Sequence, residues 1–168
     1  MNLVFASGFL IPQRILGIDY FRGLRDRIAA AGQHVALFPD VPPLDSSKER
    51  APVLANAISA KFPEGPIHII AHSMAGLDGR VLIGNNLNGL ADRIASLTTL
   101  STPHHGSPVA DLLAGSDHAP SRIVAALDQL GIKTEALKNL TTSAAEHVPD
   151  VAKTHPRIRY RSYFVCCV

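Results

Sequence analysis

The sequence predicts an α/β fold, a parallel sheet of five strands in the order 2-1-3-4-5 flanked by helices. Short, mostly apolar runs alternate with stretches of helical periodicity from one end of the chain to the other. The 168 residues make about one domain, predicted over 1–168, with enough apolar content for a single core. No internal repeat or low-complexity segment interrupts the alternation, and the proline-rich "PDVPPLDSS" (39–47) reads as a connection rather than a domain linker.

The first strand is "NLVFAS" (2–7), beginning almost at the first residue. After the loop "SGFLIPQRILG", the stretch "DYFRGLRDRIAAAG" (19–32) places Phe21, Leu24 and Ile28 on one helical stripe and closes on Gly32 as a C-cap. "HVALF" (34–38) is the second strand. The helix "SSKERAPVLANAISAKF" opens with a capping box, Ser46 with Glu49 three residues on. "IHIIA" (67–71) is the third strand, followed by "MAGLDGRVLIGN", whose glycines weaken an otherwise helical pattern. "IASLTTLS" (94–101) is the fourth strand. Amphipathic helices are predicted in "SRIVAALDQLG" and "TEALKNLTTSAAEH", and the last strand is "RIRYRSYFV" (157–165). Four of the five strands are short and mostly apolar, as strands buried on both faces of a parallel sheet should be.

Alternating strands and helices imply right-handed crossovers, and the order 2-1-3-4-5 reverses between the first and third strands. Ligands of such sheets sit at the carboxyl ends of the strands flanking that reversal. Ser73 follows the third strand and Gly8-Phe9 follows the first, so topology brings them together.

Around Ser73 the chain reads Ala71-His72-Ser73-Met74-Ala75, then Gly76. A nucleophile on a sharp strand–turn–helix elbow needs small residues two positions either side, because the turn crowds its own backbone. The usual G-x-S-x-G has alanines here, a mild steric departure. Acyl-transfer chemistry also needs two N–H groups aimed at a developing oxyanion. The elbow would supply that of Met74, and the loop after the first strand that of Phe9, behind the flexible Gly8. The competing reading is a serine that merely caps a helix.

"GFLIPQRILGIDYFRGL", "AHSMAGLDGR" and "STPHHGSPVADLL", with "LTTSAAEHVPDV" before the last strand, together resemble the bacterial triacylglycerol lipases of the α/β-hydrolase superfamily, of the Pseudomonas and Burkholderia type. The resemblance runs in order from about residue 3 to residue 163. It implies an α/β-hydrolase-like sheet and a lipase or carboxylesterase acting on lipid esters, with Ser73 as nucleophile and Phe9 and Met74 as backbone oxyanion donors. His104 and His105 fall in the family motif that forms part of the site wall. Ser7 stands where the family has a histidine that braces the oxyanion loop.

The family's acid and histidine come after the strand matched by "RIRYRSYF", where this sequence has only "FVCCV" following Tyr163. The resemblance therefore implies a chain truncated before the last family strands, weak or inactive for want of triad Asp and His. The family's calcium-site aspartates would also lie past that point, so neither metal nor cofactor is expected.

Other residues could stand in for the base. His104 and His105 follow a strand's carboxyl end on the Ser73 edge, but a histidine bonding the neighbouring loop backbone is the expected role. His72 should point away from Ser73, and His118, His147 and His155 should be solvated. Asp78 and Arg80 are expected in a mutual or tertiary ion pair, Asp111 at the start of a short helix, and Asp19 fixing its own loop.

Composition narrows the rest. A net charge of +2 is too small to argue for nucleic acid or an anionic membrane surface as partner, and no apolar run reaches the length of a span. The N-terminus does not read as a secretion signal, and the adjacent Cys166 and Cys167 suit neither a bridge nor a metal site, so a reduced, cytoplasmic setting is the default. The expected partner is a small ester or lipid. Two alternatives stand beside the hydrolase. One is a non-catalytic remnant of the fold, whose last strand would be an exposed edge open to self-association. The other is a flavodoxin-like nucleotide binder, which "SGFLIPQR" and the absence of G-x-x-x-x-G-K disfavour.

Overall fold

A short apolar strand, β1 (Asn2–Ala6), starts the chain, and its neighbours in space come from far along the sequence. The computed structural model describes residues 1–8, 14–15, 18–32, 34–114, 129, 137, 140–143 and 154–164. After β1 come a two-residue hairpin, β2 (Arg14–Ile15) and β3 (Ile18–Asp19), then α1 (Leu24–Ala31) and β4 (Val35–Leu37). Next are α2 (Ser47–Lys61), β5 (Ile67–His72), α3 (Ala75–Gly84) and a 3-10 segment over Leu87–Asp92. β6 (Ile94–Leu100), α4 (Pro108–Ala114) and β7 (Arg159–Tyr163) complete the described elements.

The sheet order is β4-β1-β5-β6-β7, parallel at each pairing, which is the predicted 2-1-3-4-5 among the five sheet strands. Ala6 at the end of β1 lies in register with Ala71 near the end of β5, so the chain leaves both strands side by side. Helix α2 begins at the predicted capping box, with Glu49 accepting from the Ser46 amide at 2.9 Å. Gly32 ends α1 in the left-handed region at φ 67°, as a C-cap glycine does.

Three expectations change. The loop after β1 carries the β2–β3 hairpin, paired Arg14 with Asp19 and Ile15 with Ile18. Because Ile18–Asp19 is spent on that hairpin and Gly23 sits at φ 77°, α1 starts at Leu24 rather than at residue 19. The strands are also not equally buried on both faces. In β5, Ile67, Ile69 and Ala71 are fully buried, while His68, Ile70 and His72 alternate with them as half-buried residues. Their face carries a polar pair, the His68 ring with the Ser96 hydroxyl across the β5–β6 pairing at 2.8 Å.

The main core lies between the first face and helices α2 and α3, where Leu54, Ile58, Leu82 and Leu97 meet Val4, Ile67 and Ile69. Each such side chain stabilises the fold by about 1.5–3 kcal/mol relative to exposure. On the opposite face Phe5 stacks on Phe38 at 5.1 Å and meets Phe21 edge-on at 5.7 Å. The helices expected in "SRIVAALDQLG" and "TEALKNLTTSAAEH" fall largely outside the described residues, as do Phe9, His118, His147, Cys166 and Cys167.

Candidate active site

Strand β5 runs straight into Ser73, and α3 starts two residues later. Ser73 takes φ 55°, the left-handed region, at a cost of about 1–3 kcal/mol for a non-glycine residue. Three contacts hold it there. Its N–H donates to Leu100 O at 2.8 Å, and its carbonyl accepts from Gly76 N at 3.1 Å and from the Thr102 hydroxyl at 2.7 Å. Ser73 is half-buried, whereas Met74 and Ala75 behind it are fully buried.

Two glycines let the backbone close around the turn. A side chain on Gly76 would run into the Thr102 side chain, so the position that demands glycine is one residue beyond Ala75. A Cβ on Gly8 would lie 2.6 Å from Ser73 Cβ and 3.1 Å from Ser73 Oγ. The chain after β1 thus passes directly against the Ser73 side chain, as the strand order implied. Gly8→Ala is expected to push this segment off Ser73 and to cut fluorophosphonate labelling of the serine by at least about tenfold, the cost of a misplaced oxyanion donor. Unchanged labelling in mass spectrometry would show the contact to be incidental.

A buried arginine ties that segment to the helices. Arg50 and Asp78 have side-chain exposures of 0% and 1%, and Arg50 Nε donates to Asp78 Oδ2 at 2.8 Å. Arg50 also donates to Ser7 O at 2.8 Å and to Pro42 O. One guanidinium therefore joins α2, α3 and the residue before Gly8. Burial pushes the Asp78 carboxyl up to about 6, although Arg50 pulls the other way. Sequence reasoning expected an ion pair at Asp78 but missed Arg50. The signal was present, for Arg50 lies on the same stripe of α2 as the buried Leu54 and Ile58. Asp78 and Arg80, two apart on one helix, do not face each other.

No described histidine is hydrogen-bonded to the Ser73 hydroxyl. His72 points to the other face, where its Nδ1 is bonded to the Tyr20 hydroxyl, a partner not foreseen from sequence. Burial lowers the His72 pKa, which favours the neutral ring. His104 was expected to bond loop backbone but binds side chains: Nε2 meets Thr99 Oγ1 at 3.0 Å and Ser162 Oγ at 3.2 Å, and Nδ1 faces Arg80 at 3.4 Å. Burial first, then Arg80 and His105, lower its pKa. His105 is exposed, and His155 is half-buried beside Asp92 at 3.9 Å rather than solvated. Asp111, in the first turn of α4, accepts from Thr142 N at 2.8 Å and its hydroxyl at 2.9 Å, so it clamps the "LTT" segment. The Met74 N–H donates to no backbone oxygen among the described residues, which leaves it available at the crest of the turn. Among the described residues no group of three or more His, Cys, Asp or Glu could hold a metal ion, and no helix is long and apolar enough to cross a membrane.

Comparison with known proteins bears on the fold. No protein-family model matches the chain. Triacylglycerol lipase 2 of Saccharomyces cerevisiae is 33% identical over 160 residues, 89% of this chain and 46% of the yeast protein. The crystal structure of the mature Bacillus licheniformis lipase superposes with a TM-score of 0.71 at 24% identity, over 96% of this chain and 64% of that one. A metagenomic carboxyl esterase superposes with a TM-score of 0.75 at 20% identity, over 96% of this chain and 48% of that one. The chain spans about half the length of this yeast protein. The parallel sheet with its β4-β1-β5-β6-β7 order is the α/β-hydrolase fold that these structures share.

Proposed function

We propose that the chain is a lipid-ester hydrolase of the lipase or carboxylesterase type, working through Ser73. The observation that carries the reading is the left-handed Ser73 on the β5–α3 turn with the Gly8 backbone against its side chain. In the proposed reaction Ser73 Oγ attacks the ester carbonyl carbon, the C–O bond to the alcohol breaks, and the alcohol leaves with the serine's proton. Water then attacks the acyl-enzyme, releases the carboxylic acid and restores the hydroxyl. The Met74 N–H, and that of Phe9 in the loop after Gly8, stabilise the oxyanion in both steps. The motif likeness to lipases of the Pseudomonas and Burkholderia type supports the same assignment and a lipid or ester substrate.

Efficient turnover also needs an imidazole on Ser73. The engagement of His72 with Tyr20 and of His104 with Thr99 and Ser162 favours low activity for the described arrangement. It also favours a second reading, a hydrolase fold that binds without turning over. Reaction of the folded protein with a fluorophosphonate, followed by peptide mass spectrometry, separates the two. The hydrolase reading expects a covalent adduct on Ser73; a folded protein that stays unlabelled overturns it.

A further inference from the structure

A cavity opens on the α3 side of the sheet, with Ser73 not among its described lining residues. It has a volume of about 330 Å³ and is walled by Arg80 of α3, by Tyr160, Arg161 and Ser162 of β7, and by His104 and His105, with Leu97 of β6 and Thr154 completing the described lining. Arg80 lies seven residues along from Ser73, roughly 10 Å down the helix. Among the described residues no carboxylate lines the cavity.

Arg80 is the unusual member. It is half-buried, and burial lowers its pKa, yet among the described residues it has no carboxylate partner. Its one hydrogen-bond partner is His104 Nδ1, at 3.4 Å. With Nδ1 accepting from Arg80, the ring proton sits on Nε2, where it can be donated to Thr99 and Ser162. His104 is thereby fixed as a neutral ring and offers Arg80 no charge. A guanidinium withdrawn from water ordinarily has an anion beside it, and its planar fork matches a carboxylate. The apolar part of the wall is the Tyr160 ring, half-buried and packed against the main core.

We propose that this cavity binds a small carboxylate bearing a short apolar tail, its carboxylate on Arg80 and its tail against Tyr160. The volume accommodates a molecule of several heavy atoms, since one water takes about 30 Å³. The assignment does not depend on whether Ser73 turns over esters.

Titrations followed by NMR amide shifts test it with three probes: butyrate, the uncharged butyramide and inorganic phosphate. Saturable shifts at Arg80, His104 and Ser162 are expected with butyrate, and affinities at least about tenfold weaker with butyramide, which lacks the charge, and with phosphate, which lacks the tail. Arg80→Gln is expected to weaken butyrate binding by at least about tenfold, and Arg80→Lys by less. Equal binding of butyrate and butyramide would show an apolar pocket, and equal binding of phosphate a general anion site. Either result overturns the assignment, as does the lack of saturable butyrate shifts in the wild-type protein, a comparison that no misfolded variant can obscure.

Discussion

If Ser73 turns over esters, Ser73→Ala is expected to erase hydrolysis of p-nitrophenyl butyrate above the uncatalysed rate, leaving the sheet intact by circular dichroism. The size of the ratio carries mechanistic content. Members of a complete serine triad act as a unit, so loss of the serine or of the histidine alone costs about a million-fold in kcat. What survives such a loss is about a thousandfold to ten-thousandfold over water, from binding and the oxyanion donors. A ratio near a million would therefore require an imidazole on Ser73 during turnover. An intermediate ratio would mean activation by the turn and its amides with a poor base. A ratio of one would sink the enzymatic proposal while leaving the fold untouched.

Removal of either partner of the Arg50–Asp78 pair is expected to be the most damaging substitution for stability. Both groups are withdrawn from water, so Arg50→Ala or Asp78→Ala strands a buried opposite charge, at a cost of about 3–5 kcal/mol. That is a large share of the roughly 5–15 kcal/mol by which domains are stable. Arg50→Ala also frees the Ser7 carbonyl, so its midpoint in urea should fall together with fluorophosphonate labelling of Ser73. The pair has a pH signature as well. Burial raises Asp78 to about 6 in the fold against 3.8 for the free carboxyl, so the folded state binds the extra proton between those values. Its contribution is fully present below the unfolded pKa and is lost as pH rises through about 6. Stability of the wild type relative to Asp78→Asn should therefore fall as pH rises from about 4 to about 6, read from denaturation midpoints across that window. A flat difference would contradict the burial-driven shift.

The sheet was legible because its strands announce themselves locally. "NLVFA", "IHIIAH" and "IASLTTL" are apolar runs bounded by polar or turn residues, and the elbow's small residues sit immediately after one of them. The β2–β3 hairpin was not legible, since two-residue strands leave no period to read. The position of Ser73 beside Gly8 followed from strand order alone. The partners of His104 did not, because Ser162 is 58 positions away and reaches it only through the β6–β7 pairing. Arg50 lay between these cases. Its place on an apolar stripe was visible, but the carbonyl and carboxylate that compensate its burial come from β1's exit and from α3.

The parallel pairing of β6 with β7 spans the connection from residue 101 to residue 158. Closing so long a segment costs chain entropy before any of the strand's contacts repays it. Among the described strands β7, at one edge of the sheet, is thus the natural last arrival in folding and the first to lift away, so its amides should exchange with deuterium ahead of those in β5.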